Sequence, residues 1–186
     1  TIAALGLSRP HMPYKGLIMA ILISPMIVPL IITAAGMFFF YARINLVYTF
    51  TGVILAHVAL ATPFVVITVT ATLVGFDMNM VKASQSLGAR PVRTFFKVIM
   101  PLILPGIISG ALFAFITSFD EVVIVMFMAS LDQLTIPKQM WAGIRQEISP
   151  VILCMATCLV ALSIFLLTTV ELLRRRSERL RGIKSR

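Results

Sequence analysis

The chain has 186 residues, of which 59% are apolar and only 12% are charged. A soluble domain usually carries about 25% charged residues, so this composition excludes an ordinary soluble globular protein and predicts an integral membrane protein. The net charge of +9 gathers in loops and near the C-terminus instead of spreading over a folded surface. We therefore expect no nucleic-acid partner and interpret the charge as a signal of membrane orientation.

Four apolar runs are long enough to cross the hydrocarbon core of a bilayer, which takes about 20 residues of helix. They predict an all-α membrane protein with spans at residues 17–41, 46–73, 98–131 and 151–170. Residues 1–8 resemble the end of an earlier apolar helix, so we expect the chain to lack the N-terminal part of its protein. Cys154 and Cys158 lie four residues apart in the last run, where we expect small buried thiols.

Basic residues are distributed unevenly between the two sides that four spans create. Thirteen of the 16 Lys and Arg residues fall before the first span, in the loop at 77–97, or in a basic tail at 174–186. The other side receives Arg43, Lys138 and Arg145. An excess of Lys and Arg marks the cytoplasmic side, so we predict a cytoplasmic loop and a cytoplasmic C-terminus. The tail is expected to contact lipid headgroups.

The loop at 77–97 carries a helical pattern of its own. Gly88 suits the end of a short helix, because glycine takes a left-handed conformation at low cost, and Pro91 can begin a second helix. Helical spacing in the first helix is kept by Met78, Val81, Ser84 and Gln85, and the second has an apolar stripe at Val92, Phe95, Phe96 and Ile99. The sequence thus predicts two short helices and a glycine turn, which either dock on a soluble partner or lie on the bilayer surface.

The same loop resembles the EAA loop in permease subunits of bacterial ABC importers. That family pattern reads E-A-A, three residues, G, nine residues, I-x-L-P, and the spacing is kept here by Lys82-Ala83-Ser84, Gly88 and Val98-Ile99-Met100-Pro101. Lys82 stands where the family has an acidic residue. The resemblance implies the type I importer fold and a docking helix for an ATP-binding subunit, with coupling residues Lys82, Ala83, Ser84, Leu87, Gly88 and Pro101.

Stretches outside the loop resemble the spermidine/putrescine-type branch of that family. They are residues 24–31, 60–68, 118–123 and 136–150. The resemblance implies a multi-pass protein of the bacterial inner membrane that moves a polyamine by alternating access. It also implies two copies of an ATP-binding subunit, a second permease subunit and a periplasmic substrate-binding protein as partners.

Two adjacent carboxylates, Asp120 and Glu121, fall in the third apolar run, where an ionised group is costly and usually functional. If the span is 106–129, they lie near its middle and line a substrate path. If it is 98–119, they lie at its outer end in solvent. The family resemblance favours the path. His57, in the second run, is interpreted as a hydrogen-bonded packing residue, and the G-x-x-x-G formed by Gly106 and Gly110 permits close helix contact.

Two functional hypotheses remain open. The first is the permease subunit, and the second is a self-contained cation channel or secondary transporter that uses Asp120, Glu121 and His57 as a relay. The sequence has no G-x-x-x-x-G-K-[ST] motif and no metal-ligand pattern, so we expect no nucleotide, cofactor or metal in this chain. We expect it not to be an enzyme, with ATP hydrolysis in a separate subunit.

Overall fold

The computed structural model describes residues 2–9, 11–146 and 149–180, and the regular elements in these ranges are all helices. They are α1 (Ile2–Leu7), α2 (Lys15–Ile27), α3 (Leu30–Arg43), α4 (Phe50–Val74), α5 (Asn79–Ser86), α6 (Pro91–Thr94), α7 (Met100–Phe119), α8 (Val123–Met128), α9 (Ile136–Gln146) and α10 (Pro150–Leu180). A π-helical turn at Phe95–Ile99 joins α6 to α7, and a 3-10 turn lies at Leu131–Gln133. The all-α prediction is confirmed.

Three helices are long and apolar enough to cross a membrane: α4, the continuous helix Pro91–Phe119, and α10. The run predicted at 17–41 is not one helix but two, α2 and α3, bent by 106°. The bend occurs because Val28, before a proline, is driven into an extended conformation with ψ of 136°. Pro29 also has no N–H to continue the helical ladder. Together the bent pair has the length and composition of a fourth span.

The helices α4 and α7 form the largest helix–helix contact in the described structure. Gly106 and Gly110 make this contact close, because a Cβ atom at either position would overlap the hydroxyl of Thr72 or Thr68. The two hydroxyls instead donate to carbonyl oxygens one turn earlier in α4, at 2.9 and 2.8 Å. The close contact predicted from the G-x-x-x-G pattern is confirmed.

Two apolar clusters mark the two ends of the α4–α7 pair. At the end where α5 lies, which we call the loop end, Ala4 of α1 packs with Leu73 and Ile103. At the opposite end, which we call the far end, Ala34 of α3 packs with Leu60 and Ile124. The chain therefore passes from the loop end to the far end along α2 and α3, as a broken span does.

The third predicted span differs from the structure at both ends. The run at 98–131 is replaced by the helix Pro91–Phe119 and a separate α8. The fourth predicted span corresponds to α10, whose membrane-length part Pro150–Leu172 contributes no buried residue. Its thiols, Cys154 and Cys158, are consequently exposed and not buried as predicted.

The last helix returns the chain to the loop end. It begins beside α9 at the far end and then passes α7, where its residues 166–170 line a crevice with residues 108–115. Its final turns include residues 174–180 of the predicted basic tail, and Arg175 donates to Glu171 at 2.8 Å. The rest of that tail, residues 181–186, lies outside the described residues.

Candidate functional site

At the loop end, α5 is an exposed helix with little packing of its own. Its N-terminus is capped by Asp77, whose Oδ1 accepts from the Asn79 N–H at 2.9 Å. Among its eight residues, all of them described, Val81 is the buried one. Lys82 and Ala83 are exposed, so two of the three residues at the EAA position face outward.

The end of α5 is a Schellman motif with Gly88 in the left-handed region. The φ of Gly88 is +78°, its N–H donates to the Gln85 carbonyl at 2.9 Å, and the Ala89 N–H donates to the Ser84 carbonyl at 3.1 Å. This is the pair of hydrogen bonds that a glycine-ended helix makes. The two short helices and the glycine turn predicted for this loop are therefore present.

One side-chain hydrogen bond ties α5 to the membrane helix. The hydroxyl oxygens of Ser84 and Thr94 are 3.0 Å apart, and Thr94 is only 2% exposed. Thr94 precedes the π-helical turn, in which the Met100 N–H donates to the carbonyl of Phe95, five residues earlier. Pro101 follows, and its ring cannot supply the N–H that a regular α-helical turn requires. Ser84 and Thr94 thus connect α5 to the helix that continues into α7.

Large apolar side chains surround α5 on the surface of the loop end. The exposed ones are Met78, Met80, Leu87, Val92 and Phe96, and Leu87 is 88% exposed. An exposed apolar patch with basic neighbours fits either a protein partner or a lipid surface.

At the far end, Glu121 caps the short helix α8. Its Oε1 accepts from the Val123 N–H at 3.0 Å. Its Oε2 accepts from the N–H groups of Ile124 and Val125, at 2.8 and 3.4 Å. The residue is 5% exposed. Burial raises the pKa of Glu121, and the three backbone donors act in the opposite direction.

The other end of α8 is capped by a cation. Lys138 of α9 donates from Nζ to the carbonyl oxygens of Val125 and Ala129, at 3.3 and 3.4 Å. A carboxylate at the N-terminus and an ammonium at the C-terminus both oppose the helix dipole favourably. This role of Lys138 was not predicted, because no local pattern links a lysine to a helix that ends ten residues earlier in the chain.

Asp120 and Glu121 are adjacent in sequence but lie in different surroundings. Asp120 directly follows the last residue of α7, its N–H donates to the Ile116 carbonyl at 3.3 Å, and the residue is exposed. The helix ends at Phe119, as in the shorter of the two spans considered for this run. That span predicts both carboxylates in solvent, but only Asp120 is exposed, whereas Glu121 is buried and caps α8.

His57 makes an interhelical hydrogen bond near this carboxylate. Its Nδ1 lies 2.7 Å from the Ser118 hydroxyl oxygen, which confirms the prediction of a hydrogen-bonded packing residue. Its Nε2 is buried and has no hydrogen-bond partner in the described part of the chain. The hypothesis of a self-contained transporter used Asp120, Glu121 and His57 as a relay. Two of these groups, His57 and Glu121, instead make structural hydrogen bonds inside the protein.

These features define a multi-pass membrane protein. Between two of its spans it has an exposed helix, α5, that is hydrogen-bonded through Ser84 to Thr94 of the following membrane helix. Residues 1–179 match the family model described as "Binding-protein-dependent transport system inner membrane component". The match covers nearly the whole chain, and the chain belongs to this family. Its members are transport permease subunits and not enzymes.

Individual relatives are polyamine permeases by name. The "Spermidine/putrescine transport system permease protein PotC" of Haemophilus influenzae is 29% identical over 176 residues, which are 95% of this chain and 68% of that protein. PotC of Escherichia coli strain K12 is 27% identical over 175 residues, 94% of this chain and 66% of its own length. The chain thus spans about two thirds of the length of these relatives. The "Putrescine transport system permease protein PotI" of the same strain is 36% identical over 103 residues, 55% of this chain and 37% of that protein.

A solved structure has the same fold. A chain of the MetNI methionine ABC transporter, in inward-facing conformations, superimposes with a TM-score of 0.74 at 19% sequence identity. The superposition covers 95% of this chain and 84% of the other. The type I importer permease fold, implied by the EAA resemblance, is thereby confirmed.

Proposed function

We propose that this chain is the membrane-spanning permease subunit of an ATP-driven importer that carries a polyamine such as putrescine or spermidine into the cell. The observation that carries the proposal is α5. It is exposed on the surface of the protein but is tied by Ser84 and Thr94 to a helix that crosses the membrane. Family membership and the names of the relatives support the importer and the polyamine.

In this proposal, the segment 77–97 docks on a separate ATP-binding subunit. Two copies of that subunit, a second permease subunit and a periplasmic binding protein complete the transporter. Closure of the ATPase dimer pulls on α5, and the link to Thr94 passes the movement into α7. The helices then open the path outward, and hydrolysis resets them. The ATP-binding subunit hydrolyses ATP, and this chain converts the closure of that subunit into movement of its membrane helices.

The loop end is the cytoplasmic end in this proposal. Basic side chains concentrate there, at Lys82, Arg90, Arg93 and Lys97. Because α10 also returns to this end, its residues 174–180 lie on the same side, where the basic tail is expected to contact lipid headgroups. The far end, with α8 and Asp120, then faces the periplasm, where the binding protein delivers the solute.

Two features support a path through the protein. At the break between α2 and α3, backbone polar groups leave the helical ladder within a membrane-length segment. In a bilayer such groups require protein or water around them, and a path shared with the second permease subunit supplies both. Asp120, exposed beside the far end of α7, offers a negative charge to a cationic solute.

The test is uptake of labelled putrescine and spermidine by cells that lack other polyamine importers. The full-length protein is expressed with its ATP-binding subunit, second permease subunit and binding protein. We expect ATP-dependent uptake that falls about tenfold in Asp120→Asn, since a lost charge contact is worth roughly 1–2 kcal/mol. Asp132→Asn, an exposed acid at the same end, is the matched control and should transport normally. Uptake without the ATP-binding subunit would support the self-contained transporter instead.

A further inference from the structure

The hydrogen bond between His57 and Ser118 joins two helices at a place where close packing has ended. The two residues are 61 positions apart in the chain, and Nδ1 and Oγ are 2.7 Å apart. Ser118 is in the last turn of α7, two residues before Asp120. The contact therefore joins the second turn of α4 to the last turn of α7.

Along α7, buried residues stop at Gly110. None of the residues from 111 to 119 is buried, and all nine are described. Two side-chain contacts join the last two and a half turns of the helix to α4: the stacked rings of Phe64 and Phe113, 6.2 Å between centroids, and the His57–Ser118 hydrogen bond. Of the two, the hydrogen bond lies nearer to Asp120.

Packing alone does not account for a histidine at this position. A phenylalanine would fill similar space without leaving a buried polar atom, whereas His57 has its Nε2 buried and without a partner in the described chain. An unpaired buried nitrogen is unfavourable. The imidazole is therefore best explained by what its Nδ1 does, which is to hold the Ser118 hydroxyl.

We propose that His57 is a positioning residue of the substrate path, which acts through Ser118 to fix the end of α7 and with it the carboxylate of Asp120. The inference rests on the path role of Asp120 given above. It predicts that loss of the hydrogen bond weakens solute recognition without loss of the folded transporter, because the glycine contact between α4 and α7 lies elsewhere.

The experiment compares four variants of the full-length permease in the assembled transporter: His57→Phe, His57→Asn, Ser118→Ala and the double variant His57→Phe/Ser118→Ala. The control is Thr117→Val, whose hydroxyl donates only within α7, to the Phe113 carbonyl at 2.9 Å. We expect His57→Phe and Ser118→Ala to raise the KM for putrescine uptake about three- to tenfold, the range of interhelical hydrogen bonds in membranes. The maximal rate should change less. His57→Asn, which can still reach Ser118, should remain close to wild type.

The double variant decides whether the two residues act together. If they do, its KM equals that of the more affected single variant. Multiplied effects, or an equal change in Thr117→Val, would overturn the proposal. Should His57→Phe fail to accumulate, Ser118→Ala and His57→Asn still give opposite expectations for KM.

A second readout does not depend on the solute. In a background with Cys154→Ala and Cys158→Ala, the Asp120→Cys variant is labelled with an impermeant maleimide in intact cells. We expect His57→Phe and Ser118→Ala to change the labelling rate at least about twofold and Thr117→Val to leave it unchanged. An unchanged labelling rate in both His57→Phe and Ser118→Ala would refute the proposal that their hydrogen bond fixes the end of α7. If the labelling rate changes but the transporter takes up no polyamine, the positioning role of His57 stands and the proposed polyamine substrate is wrong.

Discussion

The two ends of the α4–α7 pair use polar side chains in opposite ways. At the far end, the partly buried helix α8 is capped inside the chain, by Glu121 at one terminus and Lys138 at the other. At the loop end, α5 buries one residue and turns Lys82 and Leu87 outward. Charges that are paired inside the chain stabilise the fold, whereas exposed apolar and basic groups form a surface that fits a protein partner or a lipid surface.

The difference predicts how each end responds to substitution. At the far end, removal of a polar group leaves buried backbone donors without acceptors, so the free energy of unfolding should fall. At the loop end, the groups removed are exposed or lie in a turn, so the protein should still fold and insert. Transport or its coupling to ATP hydrolysis should fail there instead.

The largest effect is expected from Glu121→Ala. The substitution leaves the three N–H groups at the start of α8 without their acceptor, which should cost on the order of 3 kcal/mol of the free energy of unfolding. The neighbouring Asp120→Ala removes an exposed carboxylate and should cost less than about 0.5 kcal/mol. Thermal unfolding of the purified transporter in detergent measures both. Equal losses of stability in the two variants would contradict the division of roles between these carboxylates.

A smaller effect, and a different one, is expected from Gly88→Val. The backbone at Gly88 has a φ of +78°, and a Cβ there would meet no atom within 4 Å. The cost therefore comes from the backbone alone, roughly 1–2 kcal/mol. That is enough to move the end of α5 and abolish most of the solute-stimulated ATP hydrolysis. Insertion and yield should be normal.

The control for Gly88→Val is Gly75→Val in the same loop end. Gly75 is exposed, its φ is −83°, and its nearest neighbour is the Thr72 carbonyl at 3.9 Å. Valine fits that conformation, so solute-stimulated hydrolysis should stay near the wild-type rate. If both valines uncouple the transporter equally, the left-handed turn is not what positions α5.

The elements that sequence alone could predict are those with local causes. Apolar length predicts the membrane helices, glycine at a helix end predicts the turn at Gly88, and the spacing of Gly106 and Gly110 predicts their close contact. In each case the residues that cause the structure lie within a few positions of one another. The spacing of the EAA loop, through its resemblance to the permease family, then indicated the type I importer fold.

The features that sequence reasoning missed depend on contacts between distant positions or on competition between neighbours. The break between α2 and α3 has a local signal, Val28-Pro29, which the continuous hydrophobicity of the run concealed. That one of the two adjacent carboxylates caps a neighbouring helix follows from their different directions on a helix, but which of them does so has no local signal, because it depends on where α8 lies after α7 ends. Lys138 caps α8 because α9, a separate helix, packs against it.

The smallest effect tests the link between α5 and the membrane helix. In Ser84→Ala, the hydroxyl that meets Thr94 is lost, and the buried Thr94 hydroxyl loses its partner in α5. A neutral hydrogen bond of this kind is worth about 1 kcal/mol, too little to unfold the protein but enough to loosen α5 from α7.

The matched control is Ser86→Ala, because the Ser86 hydroxyl is exposed and donates only to the Lys82 carbonyl of its own helix, at 3.0 Å. We expect Ser84→Ala to lower the solute moved per ATP hydrolysed by about two- to fivefold while Ser86→Ala leaves the ratio unchanged. Ser84→Thr, which keeps a hydroxyl, should recover most of it. If Ser84→Ala and Ser86→Ala give the same ratio, the hydrogen bond between Ser84 and Thr94 is not the link between α5 and α7.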